Sequence, residues 1–240
     1  RWSVLNAPCE TVLPDGRVAP SRNDAWLFYQ SLLGAWPAFE ERPEGDIMLA
    51  ELADRLAAFM MKAVREAKVE TSWTAPDSAY EAAVGKFVRT ALDKRSSAQF
   101  LGDFALSCRP FVAAGRVNSL TQVLLKLTAP GGPDIYQGTE QWDLRLVDNR
   151  RAPDWSKLST ALRSGETTKF PSGQSLSLHD WRLKLHLTTC GLADRASRVD
   201  LYARGAYVPL AVEGPRAAHV VAFARLLDGD CAISVVTRLM

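Results

Sequence analysis

The stretch GGPDIYQGTEQWDLRLVDNRR, residues 131–151, stands between a part of the chain with helical patterns and a part with strand patterns. It begins with glycine and proline, and the apolar Ile135 and the aromatic Tyr136 follow. Closely spaced polar and aromatic side chains follow, namely Gln137, Glu140, Trp142, Asp148 and Arg150. Loops that carry such side chains often carry function. The stretch is therefore the first candidate for a binding segment.

The chain before this stretch is predicted to be an array of helices. Residues 21–37 begin with the capping candidates Ser21 and Asn23, and residues 46–68 place apolar side chains at spacings of three and four. Residues 76–94 begin with proline and a Ser78-x-x-Glu81 capping box, which predicts a third helix. Residues 96–116 and 117–130 predict two more helices, the first of them interrupted or ended near Pro110.

The chain after this stretch is predicted to be mainly a small antiparallel sheet. Residues 179–195 have an apolar period that fits helix or strand, and we favour a helix. Short β-rich runs follow around Leu201, Val208, 220–224 and 233–236, divided by turn signals that include Asp228-Gly229-Asp230. The predicted fold class is α+β, with a helical region over residues 1–164 and a β-rich domain over residues 165–240.

Composition excludes several classes of function. The chain has 240 residues, 47% hydrophobic and 23% charged, and a net charge of +2 that is spread without a basic stripe, so it should fold and should not bind nucleic acid. It has no apolar run near twenty residues, so we expect no membrane span and a cytoplasmic location. The four cysteines and three histidines follow no metal-ligand spacing, so no metal and no cofactor are predicted.

Several stretches together resemble one enzyme family. These are NDAWLFYQSLLGAWP, REAKVETSWTAPDSAYEAAVGKFV, NSLTQVLLKLTAPGGPDIYQGTEQWDLRLVDNRRAPDW and LYARGAYVPLAVEGPRAAHVVAFAR. They are similar to the C-terminal part of the maltooligosyltrehalose synthases, which are members of the α-amylase superfamily. PDIYQGTE alone would indicate only an amylase-like enzyme, whereas LLGAWP and REAK…TSW are more particular. Since the first residue is Arg and not Met, we expect a fragment.

The resemblance implies a sugar-binding wall. DIYQG would be the last strand of a (β/α)8 barrel, followed by its helix, and the polar run would lie at the end of the barrel where active sites form. Tyr136, Gln137, Asp148 and Arg150 are then candidates for holding sugar. An ion pair between Asp148 and Arg150 that only shapes the loop remains an alternative. Glu140 would be structural, not catalytic.

A second group of candidates is drawn from REAKVETSWTAPDSAY. In the family this region belongs to a helical insertion over one end of the substrate, and the resemblance implies that Lys68, Trp73 and Tyr80 contact the glucose at the reducing end. Packing between helices is the alternative role for Trp73 and Tyr80, and a solvated helix end is the alternative for Lys68. Glu70 stands where the family commonly has histidine.

The loop at residues 147–151 also departs from the family. The family commonly reads Asp-Pro-Asp-Asn-Arg-Arg where this chain reads VDNRR, so two residues are missing and Asp148 matches either family aspartate.

The implied reaction converts the terminal α-1,4 link of a maltooligosaccharide into the α,α-1,1 link of trehalose by intramolecular transglucosylation. Its catalytic carboxylates come from the fourth and fifth barrel strands and from after the seventh, so we expect them before Arg1 and name no catalytic residue in this chain. The implied partners are a maltooligosaccharide, through the complete enzyme, and the N-terminal part of the barrel. Two alternatives remain, a fragment of an amylase-type α-glucan hydrolase and a non-catalytic carbohydrate-binding module.

Overall fold

The fold is taken from a computed structural model, which describes residues 1–36, 45–146, 153–164, 178 and 180–239. The chain forms two compact units, each built from two separate segments. The first unit consists of Arg1–Val112 and Leu144–Arg151, and the second of Ala113–Asp143 and Ala152–Met240. These units do not follow the predicted boundary at residues 164 and 165. That division, into a catalytic part and a C-terminal domain, stays a prediction about a larger protein.

The first unit is helical. It begins with a short helix α1, Trp2–Leu5, a 3-10 turn, Ala7–Cys9, and a hairpin of two strands, β1, Thr11–Val12, and β2, Val18–Ala19. Three helices follow: α2, Arg22–Ala35, α3, Gly45–Ala67, and α4, Ser78–Ala91. The long helix α5, Lys94–Thr128, runs from the first unit into the second. The sequence patterns predicted α2, α3 and α4 but neither α1 nor the hairpin. The two helices predicted over residues 96–116 and 117–130 are the single helix α5 in the structure.

Two helix boundaries differ from the sequence prediction. The cap of α4 is Asp77, whose carboxylate accepts from the Tyr80 amide at 3.0 Å, so the predicted capping box at Ser78 is wrong by one residue. Pro110 neither ends nor interrupts α5, and the non-helical residue is Ser97. A proline within a helix removes one N–H donor. The helix continues through Pro110, and Phe104 and Cys108, six and two residues before it, are buried.

The core of the first unit is made by the facing sides of α2, α3, α4 and the start of α5. Its fully buried large side chains are Phe28, Leu32, Leu52, Leu56, Met60, Tyr80, Phe87, Phe100 and Phe104. Aromatic rings meet edge to face or tilted, for example Phe28 and Phe87 at 5.3 Å between centroids. Such contacts add to the hydrophobic stabilisation from burial.

The second unit contains helices and a three-stranded antiparallel sheet. Its helices after α5 are α6, Trp155–Arg163, α7, Arg182–Ser197, and α8, Val199–Arg204. The sheet has the order β3-β4-β5, with β3 at Ala206–Pro209, β4 at Val220–Leu227 and β5 at Asp230–Thr237. The prediction of a mainly helical chain with a small C-terminal antiparallel sheet is confirmed.

Two local features of this unit test the sequence patterns. The hairpin between β4 and β5 turns at Asp228 and Gly229, which both have positive φ, at 49° and 89°, as a tight hairpin turn requires. The predicted β-run around Leu201 is wrong because Leu201 lies in α8. Leu201 and Tyr202 are both buried and form one cluster with Ala232. Two adjacent residues of a short helix can face the same neighbour in this way.

The start of the candidate binding segment, residues 131–151, is not part of a sheet. Residues 132–136 are extended without strand pairing, and a turn follows at residues 137–140. The resemblance implies that DIYQG is the last strand of a barrel, and without the rest of that barrel it has no strand partner among the described residues.

Candidate functional site

The predicted site residues fall into two groups in the structure. Lys68, Trp73 and Tyr80 belong to the first unit, and Tyr136 and Gln137 to the second. The remaining two, Asp148 and Arg150, lie outside the described residues.

The loop between α3 and α4, residues 68–77, presents two of these side chains to solvent. Lys68 ends the helix with φ at +56°, in the left-handed region, and its side chain is exposed. Trp73 is 56% exposed. The guanidinium carbon of Arg65 lies 4.7 Å from the centre of the Trp73 ring, within range of a cation–π contact. A held and exposed indole is a flat surface on which the apolar face of a sugar ring can stack.

Arg65 is itself held by a buried carboxylate. Its Nε donates to Glu81 Oε1 at 2.8 Å and its Nη2 donates to Glu81 Oε2 at 2.6 Å, a bidentate pair. The Thr71 hydroxyl also donates to Glu81, at 2.8 Å, and accepts from the Asp77 amide at 2.9 Å. The Arg65 guanidinium lowers the pKa of Glu81, although burial opposes this shift. We call Arg65, Thr71 and Glu81 the loop clamp, since they fix both ends of the loop that carries Trp73.

A second arginine ties the same loop to the N-terminal hairpin. Arg17 Nη1 donates to Glu70 at 2.9 Å and Arg17 Nη2 donates to Asp77 at 2.5 Å. Its Nε donates to Asp15 at 2.7 Å, and hydrogen bonds with these carboxylates raise the pKa of Arg17. Glu70 therefore has a structural partner in this chain. That partner gives a physical reason for an acidic residue where the family commonly has histidine.

The sequence leaves two roles open for Tyr80, sugar contact and packing between helices, and in the structure Tyr80 packs between helices. Its ring is fully buried in the core of the first unit. The hydroxyl donates to Asp24 and accepts from the Ser21 amide at 2.9 Å. Burial, and secondarily the bond to Asp24, raises the pKa of Tyr80 to about 12. In this conformation the ring has no surface for a ligand, and it instead joins the start of α2 to the start of α4.

The second group lies on the turn after the extended segment. The Tyr136 side chain is 66% exposed, and its carbonyl accepts from the Thr139 amide at 3.0 Å. Gln137 is exposed and has an interaction partner. Glu140 Oε2 accepts from the Gly138 amide at 2.8 Å, and Gly138 has φ at +90°. Glu140 thus shapes the turn, and Tyr136 and Gln137 project from it.

One residue near this turn was missed by the sequence analysis. Lys184, in the first turn of α7, is buried and lines a cavity of about 230 Å³ together with Ile135 and Thr139. In the sequence it is a lysine between two leucines, Leu183 and Leu185, which indicates only an amphipathic element. Its burial depends on neighbours from other parts of the chain.

The remaining candidate chemistry is sparse. In the part of the chain that the structure describes, no three His, Cys, Asp or Glu side chains come together as metal ligands would. Cys9 and Cys108 are buried and Cys190 and Cys231 are exposed, all with free thiols. Among the described helices, none is long and apolar enough to cross a membrane.

Comparisons with known proteins give one consistent relationship. No protein-family model matches the chain. Two curated proteins of Mycobacterium tuberculosis, from strains CDC 1551 and H37Rv, carry the name maltooligosyl trehalose synthase and are each 31% identical over 239 residues. These residues are 99% of this chain but 27% of either relative, so the chain spans about a quarter of their length.

Solved structures agree. A crystal structure of maltooligosyl trehalose synthase matches 93% of this chain and 28% of its own, with 30% identity and a TM-score of 0.72. The maltooligosyltrehalose synthase of Arthrobacter ramosus matches 99% of this chain and 28% of its own, with 30% identity and a TM-score of 0.71. The match is to the C-terminal part of these enzymes. The chain is similar over nearly its whole length to part of these enzymes.

Proposed function

We infer that the chain is the C-terminal part of an enzyme of the maltooligosyltrehalose synthase family, which isomerises the end of a maltooligosaccharide into a trehalose unit. The observation that carries this inference is the relationship over 99% of the chain at 31% identity, together with a fold match at a TM-score of 0.72. LLGAWP and REAK…TSW are the stretches that resemble this family most particularly.

The proposed reaction breaks the terminal α-1,4 link and forms an α,α-1,1 link between the same two glucose units. A retaining mechanism needs a carboxylate nucleophile and a carboxylic acid about 5 Å apart across the scissile bond. We expect both groups to come from the part of the relatives that this chain does not match. The chain by itself should therefore bind and enclose, and should not turn over substrate.

The proposed contribution of this chain is to hold sugar units. Trp73 offers a flat face that is backed by Arg65, and Lys68 offers an exposed ammonium group on the same loop. Tyr136 offers a ring and a hydroxyl, and Gln137 an amide, for the rim of hydroxyls on a sugar. We place Tyr136 on the wall of the active-site end of a (β/α)8 barrel completed by the rest of the enzyme.

Asp148 and Arg150 complete the proposed wall. Arg150 can donate to neighbouring hydroxyls in a planar fork, and Asp148 can accept from two of them. The assignment rests on the family resemblance of VDNRR, and the ion pair that only shapes the loop remains its alternative. A cytoplasmic location is part of the same proposal.

A hydrolase of the amylase type is the second candidate, because PDIYQGTE is shared across the superfamily. A carbohydrate-binding module is the third. Since the curated and solved relatives are all named as trehalose-forming synthases, the first candidate is favoured.

The test is to incubate the full-length protein that contains this segment with maltopentaose and to identify the products by NMR of their anomeric protons. The expected result is an α,α-1,1 linkage at the former reducing end with the chain length unchanged. Glucose or maltose as the main product would instead indicate a hydrolase, and unchanged maltopentaose would indicate a binding module.

A further inference from the structure

Lys184 is a buried cation without a partner of opposite charge in contact. Lys184 is 7% exposed and lies in the first turn of α7. In the described part of the second unit, no carboxylate lies within ion-pair distance of its ammonium group and no side chain hydrogen-bonds to it. The neighbouring Asp180 is committed to Arg182, at 2.6 Å. The Nζ atom keeps access to solvent, since it is not one of the fully buried polar atoms that lack a hydrogen bond.

The burial is reflected in the acid–base behaviour of this group. Burial lowers the pKa of Lys184, and the charges of Asp143 and Glu140 act against that shift while Lys126 adds to it. An ammonium group beside a cavity can take its hydrogen bonds from water or from a ligand that replaces the water.

Lys184 faces a polar cavity inside the second unit. The cavity has a volume of about 230 Å³ and is lined by Ser119, Gln122, Val123, Lys126, Ile135, Thr139, Lys184 and Thr188. This volume is roughly seven or eight water molecules at about 30 Å³ each. It can hold a group the size of one sugar unit. Ile135 and Thr139 flank Tyr136, so the cavity adjoins the turn that carries the proposed sugar contacts.

The charges around the cavity favour a neutral polar ligand over an anion. Lys184 and Lys126 are balanced by Glu140 and Asp143, which lie close enough to act on the Lys184 charge. An ammonium group has three donors and no acceptor, whereas a sugar hydroxyl both accepts and donates. A hydroxyl can therefore accept from Lys184 and donate to the polar groups on the other side.

We propose that Lys184 binds the hydroxyl groups of a sugar unit in this cavity, beside Tyr136. The proposal deepens the proposed function and rests on it. In the bound state, sugar hydroxyls take the place of solvent around the ammonium group. Lys184 is then a substrate-binding residue.

The experiment compares Lys184→Met with Lys86→Met. Lys86 is an exposed lysine on α4, so the second variant controls for the loss of one positive charge. In the full-length protein, we expect Lys184→Met to lower kcat/KM for maltopentaose by about tenfold or more, which corresponds to about 1.4 kcal/mol. Lys86→Met should leave kcat/KM unchanged. In the 240-residue chain, Lys184→Met should keep or raise the melting temperature, because it removes a buried unpaired charge.

Three outcomes overturn the proposal. The first is an unchanged kcat/KM in Lys184→Met, and the second is a fall in melting temperature that matches the fall in activity, since that indicates a structural role. The third is competitive inhibition by inorganic phosphate that Lys184→Met abolishes, since that indicates an anion site.

A parallel Tyr136→Ala variant separates this proposal from the proposed function. If the wild type forms trehalosyl ends and kcat/KM falls only in Tyr136→Ala, the sugar-binding role of Lys184 is excluded and the proposed function is not. If the wild type forms no trehalosyl ends, the proposed function fails and the role of Lys184 fails with it.

Discussion

Replacing Glu81 with glutamine should destabilise the first unit through the loop clamp. Glu81 is 7% exposed and accepts two hydrogen bonds from Arg65 and one from Thr71. Glutamine keeps the shape of the side chain but has only one acceptor oxygen. Its NH2 group replaces the other oxygen and would face the N–H or O–H donors of Arg65 or Thr71. Hydrogen bonds to charged groups contribute about 1.5–3 kcal/mol each, and a neutral bond retains part of this. Because Arg65 is partly exposed, we expect a net loss of about 2–3 kcal/mol in the free energy of unfolding.

The measurement is urea denaturation of the 240-residue chain, followed by circular dichroism at neutral pH. The matched control is Asp54→Asn, which removes an ion pair with Arg89 at 3.2 Å in which both side chains are mostly exposed. Exposed pairs contribute about 0–1 kcal/mol. If Glu81→Gln falls within error of Asp54→Asn, the loop clamp does not stabilise the unit, and the argument for a held Trp73 is refuted.

Three further predictions concern pH, backbone space and sugar contact. Since Arg65 lowers the pKa of Glu81, the wild type should keep its advantage over Glu81→Gln above about pH 4.5 and lose it as the pH falls through the lowered pKa, which parallel melting curves would measure. Gly205→Ala should lower the melting temperature because the added Cβ would lie 2.3 Å from the Leu201 carbonyl oxygen. The Cβ of Gly102→Ala would meet no atom within 4 Å, so that variant should raise the free energy of unfolding by about 0.5–1 kcal/mol. Equal effects of the two substitutions on stability would contradict this reasoning. In the full-length protein, Arg150→Ala should weaken maltooligosaccharide turnover by about 1.5–3 kcal/mol without changing thermal stability, and a matching loss of stability would favour the loop-shaping ion pair.

Local sequence signals were sufficient for most of the fold. The three-and-four spacing in residues 46–68 and the cap at Ser21 depend only on neighbours along the chain, and both correspond to observed helices. The turn at Asp228 and Gly229 likewise needs only residues that accept positive φ. Each of these features is determined by the backbone within one element.

The errors in the fold arose where neighbouring local choices have similar energies. Asp77 and Ser78 are both good caps, and the choice between them depends on how Thr71 holds the Asp77 amide. The strands β1 and β2 have two residues each, which is too short for a periodic pattern. Leu201 and Tyr202 are adjacent and both buried, as positions on one face of a helix can be, but α8 has only six residues, which is too short to show a helical period.

The site was harder to predict because its decisive contacts are distant in sequence. Arg65 and Glu81 are 16 residues apart and join two helices, and Arg17 reaches Asp77 across 60 residues. The sequence identified Trp73 through a family resemblance, without showing what supports it. The cavity at Lys184 needs three separate segments to come together. Such pairings are set by tertiary packing, which composition and periodicity do not encode.

The most direct test of the account counts reducing ends while maltopentaose is incubated with the full-length protein and, in parallel, with the 240-residue chain alone. An α,α-1,1 link joins two anomeric carbons, so its formation removes a reducing end without shortening the sugar. The account predicts that reducing ends disappear with the full-length protein and stay constant with the chain alone over a day. A rise in reducing ends with the full-length protein would contradict the trehalose-forming function. Any change with the chain alone would place the nucleophile and the acid within these 240 residues.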